Sequence, residues 1–244
     1  MALEGGVLVT GASRGIGAAI AVELAARGVV VGCVSRSGNL PAAAGEHAER
    51  LVPYACDVTD YARVGDVVEQ FAARAGGLAG LVNNAGGHAD GAAADVRPAD
   101  FLAMVESNCV SALVFAQAAR AHLARSGGTI VGMGSFFDKL GAQGSLAYAA
   151  SKAALASVNR TLAVEWGRDG ISAFTVAPGY IHTDLNDEWL ADDGAREKLE
   201  RRIPVRRVGQ AGEVGRLVAA LVTEDIGFLS GTTIYLDGAQ SVRV

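Results

Sequence analysis

The chain has 244 residues, 50% hydrophobic and 19% charged, enough for one sizeable core and near the upper end of a single-domain length. Its net charge of −5 comes with basic residues interspersed among acids, which argues against a nucleic-acid partner. Cys33, Cys56 and Cys109 are scattered without C-x-x-C spacing, and the four histidines are dispersed. That predicts reduced thiols, a cytoplasmic setting and no metal. No run reaches the roughly 18 apolar residues of a membrane span, and a glycine-rich turn opens at Thr10, too early for a signal peptide.

In chain order, Gly6–Thr10 is an apolar run read as a buried strand, followed by a turn over Gly11–Gly17 and a helix Ala18–Arg27 stopped by Gly28. Val29–Val34 is the second strand. Ser37–Glu49 holds turn residues and at most a short helix. Leu51–Cys56 is the third strand, and Thr59 or Asp60 caps the helix Tyr61–Arg74. Leu78–Asn83 is strand and Gly86–Arg97 loop. Pro98–Arg125 reads as one long helix with Pro98 at its first position. Gly128–Leu155 is strand, loop and then a helix running to about Arg168. Ile171–Ala177 is strand, and 180–207 is polar and charged, a mobile helical lid. Gln210–Thr223 is helix, and Thr233–Leu236 is the seventh strand.

Strands that read as continuous apolar runs, alternating with helices, mark an α/β fold. It is expected to be a single Rossmann-type domain, doubly wound, with a seven-stranded parallel sheet and helices on both faces. Ligands of such sheets bind beyond the carboxyl ends of the strands. Polar or turn-forming residues fall at six such ends: Gly11–Gly17, Ser35–Arg36, Asp57, Asn83, Ser135 and Pro178.

Tyr148 and Lys152 are four residues apart, on one helix face. A lysine beside a tyrosine is expected to lower the phenol pKa, and Ser135 can share a polarised substrate oxygen with it. A lone Y-x-x-x-K is common, so the rest of the chain decides. Gly11-x-x-x-Gly15-x-Gly17 lies between strand and helix, where backbone N–H groups can meet a pyrophosphate. The second strand ends in Ser35-Arg36-Ser37, with no acid to hold a ribose diol. A guanidinium matches a 2′-phosphate, and Arg14 can approach the same group, so NADP(H) is favoured over NAD(H).

Taken together, these residues give the whole chain a pattern that resembles the short-chain dehydrogenase/reductase family, in its branch of about 250 residues. The matching pieces are Thr10–Gly17, Cys56–Thr59, Asn83–Gly86, Asn108, Ser135, Tyr148-Ala-Ala-Ser-Lys152, Pro178–Thr183, Phe228–Gly231 and Asp237-Gly238. Ser135 stands thirteen residues before Tyr148, as in that family. The resemblance implies Tyr148 as general acid or base, Lys152 on the nicotinamide ribose, Ser135 on the substrate oxygen and Asn108 fixing a water in a proton relay. It implies cofactor contacts from Gly11, Ser13, Arg14, Gly15, Ile16, Gly17, Ser35, Arg36, Ser37, Asp57, Val58, Asn83, Ala85, Gly86, Tyr148, Lys152, Pro178, Gly179, Ile181 and Thr183. A homotetramer is also implied.

Within the family the chain looks most like 3-oxoacyl-(acyl-carrier-protein) reductases. The positions that grip a carrier protein there hold Ser126 and Asp169, with Arg125 and Arg168 one place away. A free small ketone therefore fits as well as an acyl thioester on a carrier protein. His88, Phe137, Gln143, Tyr180 and Trp189 are candidates for the substrate wall, and Trp189 and Leu190 for closing over it. Cys109 has no cationic neighbour in sequence and reads as a small buried apolar residue. The alternatives are an alcohol, sugar or steroid dehydrogenase working oxidatively, and a nucleotide-sensing protein without turnover.

Overall fold

The computed structural model describes residues 3–184, 186–224 and 226–243; the side chain of Glu188 lies outside the described ones. Seven strands form one parallel sheet: β1 (Gly6–Thr10), β2 (Val31–Ser35), β3 (Leu51–Ala55), β4 (Leu78–Asn83), β5 (Thr129–Met133), β6 (Ser172–Pro178) and β9 (Thr233–Leu236). Their order is β3-β2-β1-β4-β5-β6-β9. The chain runs outward one way through β2 and β3, then crosses back past β1 to β4. The point of reversal is between β1 and β4, and in open sheets of this kind the ligand crevice lies there, beyond the strands' carboxyl ends.

The apolar runs divide between two faces because successive side chains of a strand point opposite ways. Val7 and Val9 join Val31, Cys33, Val131 and Val176 under helices α1 (Gly15–Ala26) and α8 (Ala211–Thr223), which contribute Ile20, Leu24, Val214 and Val218. Leu8 takes the other face with Val34, Leu81 and Ile130. Covering it are α2 (Tyr61–Ala75), α4 (Ser111–Ser126) and α5 (Leu146–Trp166) through Phe71, Phe115, Leu123 and Leu162. The doubly wound expectation holds.

The long helix expected over Pro98–Arg125 is not uniform. It consists of α3 (Pro98–Val105), a π turn over Glu106–Val110, and α4. Local hydroxyls compete for the helix carbonyls: Ser107 Oγ donates to Met104 O (3.3 Å) and Ser111 Oγ to Ser107 O (2.7 Å). A π turn inserts one residue and re-aims the next turn of the helix; here it carries Asn108. By length and composition the run Pro98–Ser126 is apolar enough to cross a membrane, but its inner side packs into the second core.

Segment 180–207 is more structured than a simple lid. It holds β7 (Ile181–His182), which pairs with β8 (Gly209–Gln210), and the helices α6 (Asp187–Leu190) and α7 (Asp193–Arg202). Leu190, expected to close over the substrate, is buried with Leu199, Ile203 and Val208, against which Tyr180 packs. Trp189 next to it is 48% exposed.

Candidate active site

The crevice is tied shut at its base. Thr10, at the end of β1, receives the backbone N–H groups of Asn84 and Ala85 on its hydroxyl, each at 3.0 Å. Asn84 Nδ2 donates to Thr10 O (3.0 Å) and Gly11 O (3.2 Å). Asn84 was not among the expected site residues; its neighbour Asn83 was. The side chain of Asn83 instead lies beneath, donating to Ala112 O of α4 at 3.0 Å. Two asparagines in a row at a strand end must point to opposite sides. The sequence could not say which side faces the turn.

The glycine turn fits a dinucleotide. Gly11 and Gly15 have φ of +67° and +58°, and a Cβ on Gly17 would lie 2.2 Å from Gly11 O. Helix α1 starts at Gly15 with no side-chain cap and no acid in its first turn, so its leading N–H groups are available to a pyrophosphate. Ser13 and Ile16 are half-buried in the same turn and Arg14 is exposed. Thr183, after β7, lies over it: a Cβ on Gly15 would sit 3.7 Å from the Thr183 methyl. Gly179 follows Pro178 at the end of β6. Its missing Cβ leaves room for Asp237, whose Cα would be 2.8 Å away, so its glycine is explained by strand packing. Ile181 is likewise in the first core.

At the end of β2, Ser35 is buried with its hydroxyl unpartnered, and Arg36 and Ser37 are exposed. Asp57 accepts from Thr59 N–H (3.0 Å) and Thr59 Oγ1 (2.8 Å), which hold its carboxyl below the usual range, with the nearby Arg36 adding to the effect. This turn replaces the expected cap: Asp60 occupies the position before α2, but its side chain makes no capping bond. Val58 packs on the second core.

The residues expected to handle the proton meet at the end of β5. Lys152 Nζ donates to Met133 O at 2.8 Å and lies 5.6 Å from the centre of the Tyr148 ring. Ser135 caps a short turn over Phe136–Asp138, its Oγ accepting from Phe137 N–H at 3.3 Å. Asn108, 1% exposed, accepts from Gly87 N–H (2.8 Å) and donates to Gly87 O (3.0 Å) and Ser151 Oγ (2.9 Å). Ser151 Oγ in turn donates to Tyr148 O at 2.7 Å. Asn108 thus braces the loop after β4 against α5, and a Cβ on Gly86 would meet its Oδ1 at 2.7 Å and Lys152 Nζ at 3.5 Å.

The expected lowering of the Tyr148 pKa is not found in the protein alone. Burial pushes the phenol up, a hydrogen bond with Ser135 partly opposing it, and burial brings Lys152 down to about 8. For both groups desolvation of the charged form is the largest influence. Cys109 is buried as expected, but folding gives it a cationic neighbour, Lys152. Burial still raises the thiol pKa.

His88 and Phe137 both stand edge-on to the Tyr148 ring, and Tyr180 stands edge-on to Phe137. Gln143 and Trp189 are exposed, and neither is within ring contact of this group. A cavity of about 530 Å³ lies at the other end of the sheet, lined by Thr129, Gly170, Ser172 and Ser230 near the amino ends of β5 and β6. Size alone does not mark the chemistry here. Among the described residues no three His, Cys, Asp or Glu gather as a metal group.

A family model described as Enoyl-(Acyl carrier protein) reductase matches residues 11–239. The 3-oxoacyl-[acyl-carrier-protein] reductase FabG of Escherichia coli is 35% identical over 246 residues, covering 98% of this chain and 99% of that one. This chain belongs to the short-chain dehydrogenase/reductase family. MabA of Mycobacterium bovis, another 3-oxoacyl-[acyl-carrier-protein] reductase, is 34% identical over 97% of this chain and 92% of its own. Among solved structures, ElxO with NADP bound has a TM-score of 0.92 at 27% identity, covering 100% of both chains. A gluconate 5-dehydrogenase from Burkholderia cenocepacia J2315, in complex with NADP and tartrate, has 0.89 at 30% identity over 98% of this chain and 95% of that one. The chain is an oxidoreductase moving a hydride between a nicotinamide dinucleotide and a ketone or secondary alcohol.

Proposed function

We propose that the chain is an NADPH-dependent ketoreductase of the 3-oxoacyl-reductase kind, working in the reductive direction. The observation that carries the reading is the meeting of Ser135, Tyr148 and Lys152 at the end of β5, beside the crevice. The bound nicotinamide supplies the hydride. Tyr148, its pKa raised, keeps its proton at neutral pH and is the acid that gives it to the carbonyl oxygen. Ser135 donates a second hydrogen bond to the same oxygen. Lys152 binds the ribose hydroxyls and, with a pKa near neutrality, passes a proton back toward the phenol. Asn108 holds the loop and helix that frame this exchange and fixes a relay water.

Gly11, Ser13, Gly15, Ile16 and Gly17 cradle the pyrophosphate. Ser35, Arg36, Ser37 and Arg14 read the adenosine 2′-phosphate, with no acid at the end of β2 to repel it. Asp57 and Val58 meet the adenine, and Asn83, Ala85, Gly86, Pro178, Gly179, Ile181 and Thr183 flank the nicotinamide half. NADP in ElxO and in the gluconate dehydrogenase supports this preference. The names of the 3-oxoacyl reductases support a ketone or acyl thioester as substrate. Segment 180–207 forms the lid side of the pocket. Exposed Leu102, Val110, Leu146 and Val164 on α3–α5 support a homotetramer, which a monomeric mass in light scattering would refute. Three buried free cysteines fit a reducing, cytoplasmic setting.

The test is absorbance of NADPH and NADH with a panel of ketones and acyl thioesters. Consumption of NADPH, faster than of NADH, is expected. NADH preference would refute the cofactor assignment. Tight NADPH binding with no ketone reduced would favour a protein without turnover.

A further inference from the structure

Aromatic side chains are scarce in this chain, yet they concentrate at one place. Of seven Phe and five Tyr, Phe136, Phe137, Tyr148 and Tyr180 form one continuous set of ring contacts, extended by His88. The Tyr148 ring has His88 at 4.6 Å and 77° and Phe137 at 6.3 Å and 86°. Phe137 meets Tyr180 at 6.2 Å and 87°. Phe136 backs both from below, at 4.5 Å and 5.5 Å, and is buried. Phe137, Tyr148 and Tyr180 are half-buried and His88 is exposed, so these rings retain area that another group can cover.

The wall is anchored by contacts outside the catalytic set. Tyr235 of β9 donates its hydroxyl to Asp138 at 3.0 Å, one residue beyond Phe137, and Lys139 Nζ sits 3.6 Å over the Tyr235 ring. On the other side Gly91 N–H donates to Gly144 O (2.8 Å) and Ser145 Oγ to Asp90 (3.4 Å), joining the His88 loop to the start of α5. His88 Nε2 lies 3.4 Å from Ser145 Oγ. The rings around the reacting phenol are therefore positioned, not merely near.

A ring wall rewards a ring. Offset and edge-to-face geometries add attraction beyond area burial, which a flexible acyl chain cannot collect. We infer that this site takes a flat, ring-borne ketone, conjugated or aromatic, with Phe137 as the main specificity-determining residue. The inference rests on the ketoreductase reading. The ketone carbon receives a hydride from NADPH and its oxygen a proton from Tyr148. The products are a secondary alcohol and NADP⁺, and the phenolate regains its proton from solvent.

The test compares 2-tetralone with the N-acetylcysteamine thioester of acetoacetate, both with NADPH, in the wild type, Phe137→Ala and Phe137→Tyr. The ring ketone should have the higher kcat/KM by about tenfold or more, as one well-placed ring pair provides. Phe137→Ala should raise KM for the tetralone about tenfold more than for the thioester, and Phe137→Tyr should restore most of it. Planar 2-naphthol, which cannot be reduced, should compete with tetralone in the wild type, a readout that needs no variant to fold. A preference for the thioester, an equal rise in KM for both substrates, or no competition by naphthol would each overturn the inference while leaving ketoreduction intact. Reduction of neither substrate would overturn the ketoreductase reading itself.

Discussion

The two halves of the crevice are built by different means. On the proposed cofactor side, backbone decides: positive φ at Gly11 and Gly15, a Gly17 with no room for a Cβ, and Thr10 and Asn84 hydrogen-bonded to main chain across β1 and β4. On the proposed substrate side, side chains decide: rings of Phe137, Tyr148, Tyr180 and His88 set at angles by an Asp138–Tyr235 tie and a Ser145–Asp90 tie. A backbone cradle tolerates little change of residue, whereas a ring wall can be rewritten without disturbing the sheet beneath. This explains how relatives at about a third identity keep one architecture while substrates diverge.

The largest effect should come from the residue shared by both halves. Tyr148→Phe keeps the ring and its contacts but removes the acid, so turnover should fall about 10³- to 10⁴-fold with NADPH affinity nearly unchanged. Single-turnover absorbance together with a fluorescence titration measures both. Retained turnover would separate the phenol from the chemistry.

Next is the backbone cradle. Gly17→Ala places a Cβ 2.2 Å from Gly11 O, an atom that cannot swing aside. It should cost about 3 kcal/mol of stability and weaken NADPH and NADH alike. A wild-type melting curve and unaltered cofactor affinity would show the turn to be softer than its geometry. By contrast, a change of Phe137 should leave cofactor affinity untouched, since it stands on the other side.

Sequence made these two halves unequally legible. The parallel sheet was readable because strands buried on both faces are continuous apolar runs, as Gly6–Thr10 and Leu78–Asn83 are. The Tyr148–Lys152 pairing came from helical periodicity. The surroundings of Asn108 were not readable, because Gly87 and Ser151, which hold its side chain, are distant in sequence. Nor could Asn84 be told from Asn83, or the fate of Leu190 foreseen, since the Leu199–Ile203–Val208 cluster exists once α7 has folded back. The sign of the Tyr148 pKa shift was missed for the same reason: proximity is visible in a sequence, depth of burial is not.

Lys152 lets that depth be measured. The residue is 5% exposed, its ammonium meets Met133 O, and burial brings its pKa down to about 8 against 10.5 for an ordinary lysine. Below pH 8 the charge is carried in both folded and unfolded chains and its burial weighs on the fold. Between about pH 8 and 10.5 the unfolded chain binds the proton that the folded one has lost, so this cost fades as pH rises. Tyr148, shifted upward, starts to matter only above about pH 10, where an exposed phenol ionises. Lys152→Met should therefore abolish activity yet stabilise the fold by about 2 kcal/mol at pH 7, allowing for the lost bond to Met133. The gain should shrink to near zero at about pH 9.5, as the folded chain sheds the proton. Urea midpoints at the two pH values decide it; a destabilised variant at pH 7 would mean that the lysine is well solvated in the folded protein.

The smallest effect tests whether the cofactor half has any side-chain selectivity of its own. Arg36 is exposed at the end of β2, close enough to Asp57 to pull its pKa down, and no carboxylate stands on the strand end itself. An exposed guanidinium loses much of its attraction to water and salt, so its grip on a 2′-phosphate is a charge-assisted hydrogen bond of modest net strength. Arg36→Ala should weaken NADPH about tenfold, and NADH by twofold at most. Raising the salt concentration should erode the wild-type preference in the same direction, because the contact is screened. Asp57 provides the internal control: it is tied to Thr59 beyond the end of β3 and proposed to meet the adenine common to both cofactors, so Asp57→Asn should weaken both. If Arg36→Ala lowers the two affinities equally, then selection lies with Arg14 and the turn. The cofactor half would then be a backbone device throughout, with side-chain choice confined to the aromatic wall opposite.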